Sequence, residues 1–313
     1  MAPMIKPKCL QHGNRIALIA PSSPVDSQQL MIAVDSVKLF GLKPVLYPST
    51  KMRHGYLSGP DSVRASDINN AFSDPTIDGI FCIRGGYGVT RILDKINYKM
   101  ISKNPKLLLG YSDITGLHVA INQLCNLITL HSPMPSRGWK NLDYITLQSL
   151  TDNIFSTKPI GQVPYIEGEP IEIINSGVAE GHIVGGNLSL LVSTLGSDYE
   201  INTKNKILFI EEVDEKNYKI DRGLTALALA GKFRDCAGII LGTWAGCGDP
   251  DLPSENNLSL HTIISEVVKP FGKPTINNFQ AGHIYPHISI PMGVRTKLDA
   301  ENGTVEFLEA ATQ

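Results

Sequence analysis

No apolar run in the 313-residue sequence approaches the roughly 18 to 20 residues needed to span a bilayer. The N-terminus also lacks the apolar core of about 7 to 15 residues that a secretory signal carries. Its apolar stretch is only residues 16–20, which reads as the first strand of a fold; no membrane partner is expected. Neither charge is in excess: Lys plus Arg number 28 against 30 for Asp plus Glu. That balance leaves no electrostatic footprint for nucleic acid. Cysteine is sparse and unpaired in pattern. Cys9, Cys82, Cys125, Cys236 and Cys247 are scattered and form no CxxC, so neither a disulfide framework nor a zinc ribbon is expected, and a reducing, cytoplasmic setting is. Internal repeats and low-complexity tracts are missing too. RGGYG (84–88) has neither GxGxxG spacing nor a following GK[ST], which weakens a phosphate-loop reading. His283 and His287 flank Pro286 rather than sitting in a helical HExxH frame, so no metal and no cofactor are expected.

What is present is the alternation of an α/β protein. The chain is too long for one average core, so two domains are expected. In the first half, strand-like runs at 16–20, 45–47, 80–83, 107–110 and 128–130 alternate with helical patterns at 27–40, 61–72, 89–96 and 113–124. Such alternation predicts a parallel sheet covered on both faces. Segment 159–170 is rich in Pro and Gly, which divides the chain into an N-terminal domain (1–158), a linker (159–172) and a C-terminal domain (173–313). The second half predicts strands at 178–184, 207–210 and 238–241 and helices at 188–195, 220–229 and 260–268. Around Asn302-Gly303 two strand-like runs predict a terminal antiparallel hairpin, making the second domain a mixed one.

Chemistry concentrates in LLLGYSDITGLHVAINQL. Ser112 falls at the turn between a buried strand and a helix start, where a hydroxyl projects above the sheet edge beside the N–H groups of the first helical turn. The motif departs from the GxSxG elbow, since Ile114 stands where the second glycine would be, and the local alternative is that Ser112 only caps the helix. A base for it must come from eight histidines, of which His283 and His287 lie in a loop-like segment, His131 ends a strand and His182 sits in a strand. ILFIEEVDE supplies an orienting carboxylate at a strand end. Glu211 and Glu212 point to opposite faces there, so only one of them can serve. Spacing alone does not choose the set.

The chain resembles the LD-carboxypeptidase family of serine peptidases along its whole length. The resemblance is carried by IALIAPSSPV, RHGYLSGPDSVRASDINNAF, GIFCIRGGYGVTRILD, LLGYSDITGLH and HSPM in the first half. In the second half it rests on GHIVGGNLSLLVSTLGSDYE, ILFIEEVDEKNYKIDRGL, GIILGTW and GHIYPHISIPMGV. HSPM departs softly, lacking the glycine more usual between His and Pro. The resemblance implies a Rossmann-like, class I amidotransferase-like N-terminal domain and a Ser–Glu–His triad of Ser112, Glu211 and His283, in a site between the domains. On that reading the oxyanion donors are the N–H groups of Asp113 and Gly86, and Gly85 lets backbone approach substrate. Arg84 is the cation for a terminal carboxylate, with a structural ion pair as its alternative.

The activity implied is release of terminal D-alanine from murein tetrapeptides by cleavage of an L,D-peptide bond, in cytoplasmic cell-wall recycling, by a homodimer. Relatives that instead cleave microcin C-type peptidyl adenylates are the first alternative. A non-catalytic binding protein is the second. A glutamine amidotransferase would want a cysteine where Ser112 stands.

Overall fold

The protein is described here by a computed structural model, in which residues 3–164, 166–249 and 256–313 are placed. Its strands are β1 (Arg15–Ile19), β2 (Lys43–Leu46), β3 (Gly79–Cys82), β4 (Leu107–Gly110), β5 (Thr129–His131), β6 (Gly161–Gln162), β7 (Glu172–Asn175), β8 (Val178–Asn187), β9 (Ile207–Val213), β10 (Gly238–Ala245), β11 (Thr275–Asn277), β12 (Ile290–Met292), β13 (Arg295–Asp299) and β14 (Thr304–Phe307). Two compact units divide the chain: Met1–Pro159 with Ile288–Gly293 and Ala310–Gln313, and Ile160–His287 with Val294–Glu309.

The first unit is built on a six-stranded sheet in the order β12-β5-β4-β3-β1-β2. β1 to β5 are parallel, and β12 adds antiparallel to β5 at the edge. β3 and β4 are buried along their whole length, as strands covered on both faces must be. The order β2-β1-β3-β4-β5 is that of a doubly wound fold, whose switch point lies where β1 and β3 send their chains to opposite sides. Helices α1 (Ser27–Leu39), α2 (Asp61–Ser73), α3 (Tyr98–Lys103), α4 (Thr115–Cys125) and α5 (Tyr144–Phe155) complete the unit. Their ends follow local chemistry. Asp26 and Gln29 form a reciprocal capping box on α1, Asp143 caps α5, and Asn126 in the left-handed region stops α4. Trp139, Phe81 and Leu18 lie in the core beneath α1.

The expected helix at 89–96 is instead two 3-10 turns, Val89–Arg91 and Leu93–Lys95. α3 and α5 are helices that the sequence reading did not place.

The second unit has an eight-stranded mixed sheet in the order β6-β14-β13-β8-β9-β10-β11-β7. β8 to β11 are parallel neighbours in the middle, flanked by antiparallel pairs. Helices α6 (Leu188–Ser193), α7 (Asn217–Leu229), α8 (Lys232–Asp235) and α9 (Leu260–Val267) accompany it. β8 pairs with β13 over its first half and with β9 over its second. The crossover uses Gly185 at φ 135°, where a Cβ would stand 1.8 Å from the Phe209 carbonyl oxygen. The hairpin of β13 and β14 closes through residues 300–303, with Gly303 at φ 65°. The segment 159–172, expected as a linker, contributes β6 to this sheet, and residues 288–293 and 310–313 belong to the first unit. Among the described residues no helix is long and apolar enough to cross a membrane.

Candidate active site

β4 delivers the serine. The Gly110 carbonyl oxygen accepts from the Ser132 N–H at 3.1 Å and from His118 Nε2 at 2.9 Å. With Nε2 donating, His118 Nδ1 accepts from the Thr129 hydroxyl at 2.9 Å. Full burial holds the His118 pKa down to about 4, which keeps the ring neutral. From this fixed strand end the backbone turns sharply, and Ser112 takes φ 65°. A side chain other than glycine rarely occupies that left-handed region, and where one does the surrounding structure holds it there. A 3-10 turn, Ser112–Ile114, then leads into α4. Neither the turn nor α4 receives a side-chain cap, so capping does not account for Ser112, which is half-buried.

Of the expected residues in the 84–88 loop, Gly85 lies against it. A Cβ on Gly85 would lie 3.0 Å from Ser112 Cβ and 3.2 Å from its Oγ, so the bare backbone of Gly85 lies against the hydroxyl. Gly86 has φ 105°, and a Cβ there would collide with the Ser23 hydroxyl. Among the described residues neither Gly86 nor Asp113 gives its N–H to a protein acceptor. Arg84 is exposed and donates from Nη1 to the Pro24 carbonyl at 2.8 Å. No carboxylate among the described residues pairs with it.

The second unit supplies the imidazole and the carboxylate. Glu211 and Glu212 are adjacent in β9, so the pleat sends them opposite ways. Glu211 Oε2 accepts from His283 Nδ1 at 2.7 Å, with the carboxylate fully buried and the ring nearly so. Burial raises the Glu211 pKa, and the hydrogen bond from His283 works in the other direction. Two glycines make this contact possible. At Gly282 (φ 126°) a Cβ would sit 2.8 Å from Glu211 Oε2, and at Gly242 one would sit 2.7 Å from the Ala281 carbonyl oxygen. Thr243 holds the same carbonyl through its N–H and hydroxyl, both at 3.2 Å. Glu212 serves elsewhere, accepting from Asn187 Nδ2 at 2.6 Å and from the Ser189 hydroxyl and N–H at 2.6 and 2.9 Å. It anchors the start of α6.

His287 and His131 are both buried. Among the described residues no group of three or more His, Cys, Asp or Glu is placed to hold a metal ion. Sequence reasoning did not single out His118, Thr243 or Gly282. Of these, only the glycine directly before His283 carried a signal, as a position at which backbone freedom is needed beside a functional side chain.

A doubly wound sheet whose β1, β3 and β4 loops carry small residues and a strained serine defines the class first: an α/β protein with Ser112 at the carboxyl end of a central strand. Residues 16–132 match the LD-carboxypeptidase N-terminal domain and residues 180–298 the LD-carboxypeptidase C-terminal domain. The chain is 38% identical over 302 residues to the probable murein peptide carboxypeptidase of Bacillus subtilis, covering 96% of this chain and 93% of that one. It therefore belongs to the LD-carboxypeptidase family, and it is an enzyme, a serine-type carboxypeptidase. Its fold is shared with two solved structures. The microcin C7 self-immunity protein in its wild-type apo state superposes with a TM-score of 0.90 at 23% identity, covering 99% of this chain and 100% of that one. Muramoyltetrapeptide carboxypeptidase from Oxalobacter formigenes gives 0.81 at 24% identity, covering 94% and 97%.

Proposed function

We propose that the chain hydrolyses the L,D-peptide bond before the terminal D-alanine of murein tetrapeptides, with Ser112 as nucleophile, His283 as base and Glu211 orienting the ring. One observation carries the mechanism: the 2.7 Å contact between Glu211 Oε2 and His283 Nδ1. A buried carboxylate on Nδ1 fixes the proton there and leaves Nε2 unprotonated, the state in which an imidazole takes a proton from a hydroxyl. In turnover the Ser112 hydroxyl gives its proton to His283 as Oγ attacks the scissile carbonyl. The tetrahedral oxyanion is received by the N–H groups of Asp113 and Gly86. Collapse breaks the C–N bond, and His283 returns the proton to the departing D-alanine amine. Water, deprotonated by His283, then releases the acyl chain and restores Ser112. Arg84 meets the substrate's terminal carboxylate through a bidentate contact, a role supported by its having no carboxylate partner among the described residues.

The substrate is supported by the relatives: a probable murein peptide carboxypeptidase at 38% identity and a murein tetrapeptide carboxypeptidase from Pseudomonas aeruginosa at 26%. A cytoplasmic setting is supported by five free thiols, three of them buried. The chain acts as a homodimer of two-domain subunits, which sedimentation at micromolar concentration tests.

The deciding experiment follows D-alanine release from murein tetrapeptide by mass spectrometry, with processed microcin C as a parallel substrate. Wild type releases D-alanine, and Ser112→Ala loses at least about 1,000-fold in kcat. Undiminished hydrolysis by Ser112→Ala overturns the serine mechanism; cleavage of the microcin alone overturns the substrate.

A further inference from the structure

Two fully buried charged side chains of the first unit hold the same two loops. The loops follow β1 and β3, the strands at the switch point: residues 20–24 and residues 84–89. Arg64, in α2, has no exposed surface. Its Nη1 donates to the Pro21 carbonyl and, at 2.8 Å, to the Gly88 carbonyl, while Nη2 pairs with Asp61. Asp113 is also without exposed surface. Its Oδ2 accepts from the Ser22 hydroxyl at 2.6 Å and from the Val89 N–H at 2.9 Å. The cation therefore takes the carbonyls of residues 21 and 88, and the carboxylate takes donors from residues 22 and 89, the next residue along in each loop. A third tie joins the loops directly: Ser23 gives its N–H to the Gly85 carbonyl at 3.2 Å, and its hydroxyl accepts from the Tyr87 N–H at the same distance.

Asp113 is the residue after Ser112. Its backbone belongs to the turn that holds Ser112 at φ 65°, and its carboxylate grips the loop that lays Gly85 against the Ser112 side chain. We infer that the Asp113 side chain, through Ser22 and Val89, is the positioning residue that sets the serine elbow and the glycine loop to each other. It acts on the geometry of the reaction rather than on substrate. This role rests on Ser112 being the nucleophile. In chemical terms, the hydroxyl that attacks and the loop N–H that receives the oxyanion are held by one carboxylate, so loosening it moves both donors relative to the reacting carbonyl. A misplacement approaching an ångström costs such a reaction about 100-fold.

Two variants test it, chosen because neither substituted side chain touches substrate and each change is small. Ser22→Ala removes one donor to the carboxylate, and Asp113→Asn keeps one acceptor oxygen while removing the charge. Each is expected to lower kcat by about 10- to 100-fold with KM within about twofold of wild type. Labelling of Ser112 by a fluorophosphonate should slow in parallel, with thermal unfolding still cooperative. The double variant should be no slower than the worse single one, because both substitutions weaken the same tie between residues 22 and 113. Wild-type kcat in Ser22→Ala, or effects that multiply in the double variant, overturns the inference. Ser112→Ala, run alongside, separates the two readings. If it is inactive while Ser22→Ala and Asp113→Asn keep full kcat, only the positioning role falls; if it hydrolyses normally, the nucleophile falls.

Discussion

Replacing Gly85 by alanine places a single methyl group against the nucleophile. Gly85 is not among the positive-φ glycines, so alanine fits its backbone without strain, and the effect is confined to contact. The new Cβ meets Ser112 Cβ at 3.0 Å, Ser112 Oγ at 3.2 Å and Met134 Cε at 3.4 Å. Carbon pairs rest at about 3.5–4.0 Å, so the serine must retreat by about half an ångström or the loop must lift. Met134 has a flexible end and can yield. Ser112 has little room, because His118 and Ser132 fix the Gly110 carbonyl behind it and Asp113 anchors the residue after it. Overpacking of this kind costs about 1 to 3 kcal/mol. Falling wholly on the reactive pose of the serine, it lowers kcat/KM by about 5- to 150-fold. Steady-state D-alanine release, fluorophosphonate labelling and a thermal melt measure the three parts. Slower labelling with little change in melting is expected. Full activity with a lowered melting temperature would show that the elbow moves aside easily, and the account of a rigidly held serine would be wrong.

Glu211→Gln presents an amide to His283 Nδ1 in place of a carboxylate and is expected to cut kcat by about 10,000-fold with KM little changed, the loss that follows from the wrong ring tautomer; kinetics at saturating peptide check it. His118 gives a pH signature in stability. Its folded pKa of about 4 lies below the roughly 6.5 of an exposed histidine, so the unfolded chain takes up the proton first. The stability due to the neutral ring is complete above pH 6.5 and is lost as pH falls from there to about 4, by roughly 3 kcal/mol. Urea unfolding of wild type and His118→Asn between pH 7.5 and 4 should show this slope in the former and not in the latter. Gly185→Ala forces a Cβ to within 1.8 Å of the Phe209 carbonyl oxygen and should destabilise by more than about 4 kcal/mol. Gly196→Ala, with φ 79° but nothing within 4 Å, should cost about 1 to 2 kcal/mol in the same denaturant assay.

The central strands were legible because β1, β3, β4, β9 and β10 are apolar runs with sharp ends, helices α1 and α9 because a capping side chain and apolar spacing agree, and helices α2 and α7 without a side-chain cap. What escaped reading has physical causes. α5 buries Thr146 and Asn153 alongside Leu150 and Ile154, so its apolar periodicity is diluted. Residues 89–95 carry helix-like spacing, but Val89 is tied by its N–H to Asp113 and the chain settles into separate 3-10 turns. β6, β7 and β12 lie at or beside sheet edges with three or so residues apiece, and β12 contains Pro291, which an edge position tolerates. That β12 returns to the first unit cannot be read locally at all, since its partner β5 lies about 160 residues earlier. The serine, the glutamate and the histidine were named by resemblance, and the sequence pattern alone left Glu211 and Glu212 undivided. Their separate uses depend on partners far along the chain: His283 for one, Asn187 and Ser189 for the other.

Adjacent residues divide the work at both places where chemistry collects. Glu211 faces the imidazole while Glu212 fastens α6; Ser112 is presented at the loop cluster while Asp113 is turned inward to bind two loops. The backbone makes this division natural, because a pleat or a tight turn sends neighbouring side chains to opposite sides. An anchor on the next residue of the chain is also the shortest lever by which a fold can fix a reactive group, since only one peptide unit separates the two. The strained φ of Ser112 follows from the same arrangement. A left-handed serine persists only if something over-determines it, and here Gly110 is pinned on one side and the Asp113 carboxylate on the other. The elbow is therefore held by its immediate neighbours, and the reactive hydroxyl itself carries none of that burden, which is why its removal should leave the fold standing.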